Sequence, residues 1–181
     1  MRWIGSLTLA LGWVLLLMQA SNSQVTQEWA KRINFGDALG NDDIEGLAVD
    51  AQGNVYVGGT ADLGPGRPNI YVVVKYTPEG EYAWIAPYNP PHHSCVAADF
   101  ALDAAGNTYL TGARPGAIPG SPTDYLTVKF NPLGQVEWTA TYDGPGHYYD
   151  DADAIALDDS GNVYVTGIAS VQPVIPYEGE D

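Results

Sequence analysis

The chain has 181 residues, with 22 acidic against 7 basic side chains and a single cysteine. Its net charge of −15 repels nucleic acid and anionic membrane surfaces, so both are excluded as partners. The lone Cys95 excludes an internal disulfide, so stability must come from packing, strand pairing or bound ions.

Residues 1–23 are predicted to be a secretory signal peptide. Arg2 precedes an uncharged run at 3–18, and small and polar residues follow. This order favours cleavage after Ser23. The alternative is an uncleaved membrane anchor, but sixteen apolar residues fall short of the roughly 20 that a spanning helix needs. We therefore expect a secreted protein, extracellular, at the cell surface or in the periplasm, with no membrane insertion after cleavage.

One segment is written three times: VDAQGNVYVGG (49–59), LDAAGNTYLTG (102–112) and LDDSGNVYVTG (157–167). The copies lie 53 to 55 residues apart. Alternating large and small residues before the Asp and Gly turn, with β-branched and aromatic residues after it, predict a hairpin in each copy. The recurring aspartates are therefore expected to form turns rather than to catalyse; they are Asp50, Asp103 and Asp158.

Two further elements follow the hairpin. YVVVKYTPEG (71–80) returns as YLTVKFNPLG (125–134), which predicts a third strand ending in a Pro and Gly turn. Trp84 and Trp138 mark fourth strands, and Trp29 is a looser first copy. Without a helical apolar stripe, the chain is predicted to be all-β. A four-stranded antiparallel unit repeated at this period is typical of a β-propeller blade.

The hairpin pattern D-x-x-G-N-x-Y-[VL]-x-G, the strand pattern Y-x-x-V-K-[YF]-x-P-x-G and the W-x-x-x-Y strand resemble the bacterial SBBP-type β-propeller repeat, over about 25–170. The resemblance implies the fold and a place among secreted and cell-surface proteins, but no single activity. The family's repeat also tends to carry an aspartate seven residues before the turn aspartate. Here that residue is Asp43 or Asp151, with Val96 in the middle copy.

The predicted fold is a partial β-propeller at 24–170, with about two whole blades plus flanking strands. An acidic tail at 171–181 is expected to be disordered. The first strand of each blade carries the smallest residues, so it should lie nearest the axis. The predicted units are an outer strand at about 27–35, blades at 43–88 and 96–142, and a partial blade at 151–168.

This count falls short of the four to eight blades of a closed propeller. Two explanations stay open. The chain is a fragment of a longer repeat protein, or it forms a homo-oligomer in which the outer strand of one chain completes the partial blade of another. Two copies would then give a six-bladed ring.

The acidic loops before the first and third inner strands are candidates for a calcium site, because calcium takes six to eight oxygen ligands. The candidate ligands are Asp42, Asp43, Asp150, Asp151 and Asp153. Alternatively, Asp43 and Asp151 accept hydrogen bonds from the backbone of a neighbouring blade. His92 and His93 with Cys95 lack the spacing of a zinc site, so these histidines and His147 are expected to be exposed in loops.

The function favoured by these patterns is a non-catalytic scaffold or binding role, with a protein, glycan or cation as partner. The rival is a propeller-type lyase or hydrolase, with a metal or carboxylates at the channel mouth and His92 and His147 in the site. No nucleophile, phosphate-loop or dinucleotide motif is present, so no catalytic residue and no cofactor other than calcium is predicted.

Overall fold

The computed structural model describes residues 28–32, 41–90, 94–116 and 122–171. These residues form ten β-strands in three antiparallel sheets of four, four and two strands. The predicted all-β fold class, with two whole four-stranded units and flanking strands, is confirmed. Within the described ranges, no helix is long and apolar enough to cross a membrane.

The strands of each sheet lie side by side in chain order, as in a blade. Sheet 1 contains β1 (Asp43–Val49), β2 (Val55–Asp62), β3 (Asn69–Tyr76) and β4 (Tyr82–Tyr88). Sheet 2 contains β5 (Val96–Leu102), β6 (Thr108–Pro115), β7 (Thr123–Phe130) and β8 (Val136–Tyr142). Sheet 3 contains β9 (Asp150–Leu157) and β10 (Val163–Ala169). The predicted signal peptide and positions 172–181 of the acidic tail lie outside the described residues.

The prediction of an outer strand at about 27–35 is wrong for its described part, because residues 28–32 are irregular. Their contact with sheet 1 runs through side chains rather than through a strand ladder. The indole Nε1 of Trp29 donates to the carbonyl of Pro78 at 3.1 Å, and a side chain at Gly80 would meet the Trp29 ring at 2.7 Å. Trp84 covers Gly134 of sheet 2 in the same way, so Trp29 is the first copy of this tryptophan.

Tyrosine, lysine and tryptophan of the repeat form a row across each four-stranded sheet. Tyr56 pairs with Lys75 across β2 and β3, and Lys75 pairs with Trp84 across β3 and β4. The ammonium of Lys75 lies 4.8 Å from the Tyr56 ring centroid, and the Tyr56 and Trp84 rings meet at 6.0 Å. Sheet 2 repeats the row with Tyr109, Lys129 and Trp138. The repeated wording therefore encodes cross-strand packing.

The first strands of consecutive sheets contact each other, as expected for the strands nearest the axis, and each also lies against the inner strands of the preceding sheet. Between sheets 1 and 2, this contact buries one apolar cluster. Its fully buried members include Tyr71, Val73, Leu110, Leu126 and Phe130. The hydroxyl of Tyr71 donates to the carbonyl of Leu126 at 3.2 Å, so a polar group crosses between the sheets without being left unsatisfied.

A ring of sheet 2 fits into a depression in sheet 1 that two glycines create. A methyl group added to Gly46 would lie 2.6 Å from Cβ of Phe100, and one added to Gly58 would overlap the same ring. Since real carbon atoms do not approach so closely, the missing side chains are what let the two sheets meet here.

We predict that Gly58→Ala destabilises the protein by about 1–3 kcal/mol, because the added methyl group over-packs the contact with Phe100. Phe100→Leu should relieve part of this cost, so the double variant Gly58→Ala/Phe100→Leu should lose less stability than the two single changes together. Urea unfolding of the four proteins tests this, and strict additivity would contradict the contact.

Candidate functional site

Each repeated aspartate is the acceptor at the centre of its turn. Asp103 accepts from the amides of Ala105 and Asn107 at 2.9 and 2.8 Å through one oxygen. Its other oxygen accepts from the Asn107 side chain at 2.6 Å and from the Tyr109 hydroxyl at 3.0 Å. Asp50 and Asp158 make the same four contacts. The expectation that these residues are turn formers is met by this geometry.

These contacts also set the charge state of the turn. Burial acts to raise the pKa of Asp103, but hydrogen bonds from Asn107, Tyr109 and Ala105 outweigh it and hold the pKa below 3.8. The left-handed backbone of Gly106, at φ 87°, closes the turn, a conformation that glycine adopts without strain.

The edge of the sheets that lies away from these aspartate turns is formed by the loops after β2, β4, β6 and β8. We call it the entry edge. Asp42 and Asp150 lie here at equivalent positions of sheets 1 and 3. Asp42 accepts from the amide of Asp62 at 3.2 Å, and Asp150 accepts from that of Ser170 at 3.1 Å. Asp150 also accepts from the amide of Gly144 at 2.5 Å and is fully buried. Both aspartates therefore hold the open end of an inner hairpin.

The other predicted calcium ligands lie apart from this arrangement. Asp151 accepts from the hydroxyl of Thr123 at 2.6 Å, which links sheet 3 to sheet 2 through a side chain rather than through the backbone. Asp43 and Asp153 are exposed on β1 and β9. Burial, and then the charges of Asp43 and Asp99, raise the pKa of Glu45, so carboxylates gather along the first strands.

The role expected of Asp43 and Asp151 is taken by Asp99, which the sequence reasoning missed. Asp99 accepts from the backbone amide of Ile155 in sheet 3 at 2.8 Å. A similar bond joins sheets 1 and 2, where the Thr60 hydroxyl accepts from the amide of Ala97 at 2.8 Å. The residue types differ between the two junctions, which is why no repeated pattern revealed them.

Three carboxylates meet at the entry edge where sheets 2 and 3 join. Asp124, Asp143 and Asp150 each place an oxygen within 4.8 Å of the others, and Asp124 and Asp150 are buried. Arg114 pairs with Asp124 at 3.4 Å, and His147 Nδ1 lies 2.7 Å from Asp143. Oxygen ligands of this kind are those that calcium and magnesium accept in proteins.

This cluster is specific to one junction. The equivalent positions between sheets 1 and 2 are Ile70, Asn89 and Cys95. Of the five predicted calcium ligands, the cluster contains Asp150 alone, and its partners Asp124 and Asp143 were missed. The signal in the sequence is that aspartate stands at these two positions where the preceding repeat has Ile70 and Asn89.

The histidine and cysteine positions carry no zinc-like arrangement in the part of the chain that the structure describes. His92 and His93 lie outside that part. His147 is exposed in a loop, as expected. Cys95 is buried, and burial raises the pKa of its thiol to about 12, so the thiolate that would bind metal or attack a substrate is disfavoured.

Comparison with known proteins supports the repeat assignment. Residues 28–63 match the family model described as SBBP, a β-propeller repeat. The matched segment includes Trp29 and the first inner hairpin, so the predicted resemblance to SBBP-type repeats is confirmed. No curated protein sequence matches the chain.

We predict that Asp103→Asn lowers the free energy of unfolding by about 1–2 kcal/mol, because an amide nitrogen then faces two donors in a part-exposed turn. The folded-state pKa of Asp103 is lowered, so its stabilising effect is present above its ordinary value of 3.8 and is lost as pH falls through the folded-state value. Acid and neutral unfolding of both proteins tests this. The exposed Asp159→Asn is the matched control, and an equal loss in it would contradict the turn assignment.

The predicted calcium site is tested by calorimetric titration of calcium into the wild-type protein and into Asp143→Asn, with a thermal melt of each protein. Heat of binding and a calcium-dependent rise in Tm that Asp143→Asn removes would confirm a site at the cluster. A wild-type protein that shows neither would reduce the acidic loops to their hydrogen-bonding role.

Proposed function

We propose that this β-propeller repeat protein is a secreted, non-catalytic binding scaffold whose partner contacts the entry edge. One observation carries the proposal, namely the difference between the two edges of the sheets. The edge opposite the entry edge has turns of nearly the same sequence in each copy, at Asp50–Asn54, Asp103–Asn107 and Asp158–Asn162. The loops of the entry edge differ from copy to copy. Because a repeated turn serves the fold, copy-specific loops are the part free to serve a ligand.

The loop between β8 and β9 shows what such a ligand would meet. His147 has a left-handed backbone, at φ 52°, which is uncommon outside glycine. Its amide donates to the carbonyl of Gly144 at 2.9 Å, and its ring contacts Asp143. Tyr149 is half exposed beside it, and Tyr142 packs against Tyr125 at 5.3 Å. Held aromatic rings and a carboxylate are groups that bind sugars or peptide side chains.

The chemistry of the described residues favours binding over catalysis. The repeated aspartates and Asp42, Asp99 and Asp150 accept hydrogen bonds from backbone amides, so their oxygens support the fold. The pair of His147 and Asp143 could serve the rival lyase or hydrolase, since an imidazole beside a carboxylate can move a proton. This pair is exposed at a loop rather than enclosed with a nucleophile, so it fits the rival less well.

The location rests on the predicted signal peptide. Protein recovered from the medium or periplasm should begin at Gln24, and its intact mass checks the cleavage after Ser23. A chain that keeps Met1 in the membrane fraction would overturn the secreted part of the proposal without touching the binding part.

Binding is tested on an array of immobilised glycans and cell-surface proteins, with two tyrosines as a matched pair. Tyr149 lies on the entry edge and is 50% exposed, and Tyr82 lies near the edge opposite the entry edge and is 54% exposed. We expect Tyr149→Ala to weaken the bound signal about tenfold, the loss of roughly one good aromatic contact, while Tyr82→Ala leaves it unchanged. The reverse order would refute the entry edge as the binding surface. Turnover of a bound glycan that His147→Ala abolishes would favour the rival enzyme.

A further inference from the structure

On the outward face of sheet 1, the first strand exposes positions that sheets 2 and 3 bury, whereas Val72 and Val74 of β3 on the same face are already buried. Ile44, Leu47 and Val49 of β1 are all exposed, Leu47 to 64%. The residue equivalent to Leu47 is Phe100 in sheet 2, which packs against sheet 1, and Ile155 in sheet 3, which is 9% exposed. The fold therefore covers the first strand of a sheet wherever a preceding sheet is present.

The outward face of sheet 3 shows the complementary pattern. Tyr164 and Ile168 of β10 are exposed to 57% and 59%, and Thr166 between them is exposed as well. The residues equivalent to Tyr164 are Tyr56 in sheet 1 and Tyr109 in sheet 2, which are both buried. In sheet 1 this face is covered by the following sheet, whose Gly106 lies beside the Tyr56 hydroxyl, and also by the lysine and tryptophan of the same sheet, which the two-stranded sheet 3 does not have.

We propose that a second copy of this chain covers these faces, with sheet 3 of one copy packed on sheet 1 of the other. The occupant is a second copy because the chain already makes this contact twice within itself, between sheets 1 and 2 and between sheets 2 and 3. The same contact between two molecules would place the exposed face of sheet 3 in one chain against the exposed face of sheet 1 in the other.

Side-chain sizes fit the contact. Phe100 lies against Gly46 and Gly58, so the largest ring meets the smallest floor. In the contact between copies, Leu47 takes the place of Phe100, and Ala154 and Thr166 take the places of the two glycines. A smaller side chain then faces a fuller floor, which keeps the spacing between sheets nearly constant.

The outward face of sheet 1 also has space for the two-stranded hairpin of a partner chain. Trp29 occupies the outer part of the sheet 1 face, where it packs against Tyr76 and Gly80. Between Trp29 and the exposed β1 lies a groove of about 310 Å³, lined by Leu47, Val57, Val72 and Val74 among others. Strands β9 and β10 of the partner would cover the inner part of this face, while Trp29 keeps the outer part.

Two copies can make the contact reciprocally, because each has one face of each kind. The result is a two-fold dimer in which the exposed β1 and β10 of both copies are covered. It contains six sheets, within the range of four to eight blades of closed propellers. The contact is apolar at its centre, so salt should strengthen it by screening the repulsion between two chains of charge −15.

Light scattering of the purified chain tests the proposal. We expect a mass twice that of one chain over a wide range of concentration. Leu47→Lys and Thr166→Glu, at exposed positions that leave the fold of one chain intact, should each halve the mass. The double variant Leu47→Lys/Thr166→Glu should recover the dimer, because the new charges face each other across the contact.

Leu133→Lys is the control, since Leu133 is a leucine exposed to 73% in the β7–β8 turn, away from both faces. This variant should remain dimeric, and circular dichroism and thermal melts check that every variant is folded. A monomeric wild-type protein, an assembly that Leu47→Lys leaves intact, or a double variant that stays monomeric would each overturn the proposal.

Discussion

The structure depends on one constraint: each sheet is too small to bury its own faces and must be covered by its neighbour. Each four-stranded sheet has apolar side chains on both sides, and between sheets 1 and 2 the neighbouring sheet removes them from water. Glycines let this happen at close range, as Gly46 and Gly58 receive Phe100 and Gly134 receives Trp84. The stack is therefore held by contacts between sheets, and each sheet's strand pairing alone would not suffice.

The repeated residues serve this constraint in two steps. Aspartate, asparagine and tyrosine first join in the turn, where the tyrosine hydroxyl donates to the aspartate that closes it, as Tyr56 does to Asp50 at 3.2 Å. The same tyrosine then begins the row that passes through lysine to tryptophan. The tryptophan finally covers a glycine turn of the next sheet. A change in one repeated position would thus reach the sheet contact through a short series of touching side chains.

The features that recur in each repeat could be predicted from the sequence, but the contacts between sheets that do not recur could not. Period, hairpin turns and strand order could be read from three copies, because each copy repeats the same local chemistry. Asp99 and the cluster of Asp124, Asp143 and Asp150 could not be read in this way, since their partners come from another sheet. Which residues meet across a junction depends on how far one sheet is shifted along the other, and no local pattern encodes that shift. The prediction of an outer strand was wrong for a related reason: Trp29 makes the same glycine contact as Trp84, but its backbone pairs with no strand in the described residues.

The contacts between sheets can be measured directly by hydrogen exchange at two backbone amides. Ala97 and Ile155 donate out of their own sheets, to the Thr60 hydroxyl and the Asp99 carboxylate of the neighbouring sheet. If the sheets stack as described, both amides should exchange as slowly as those in the centres of the strands, because only opening of the stack exposes them. Exchange at the rate of surface loops would show that the sheets do not cover one another, and the account would fail.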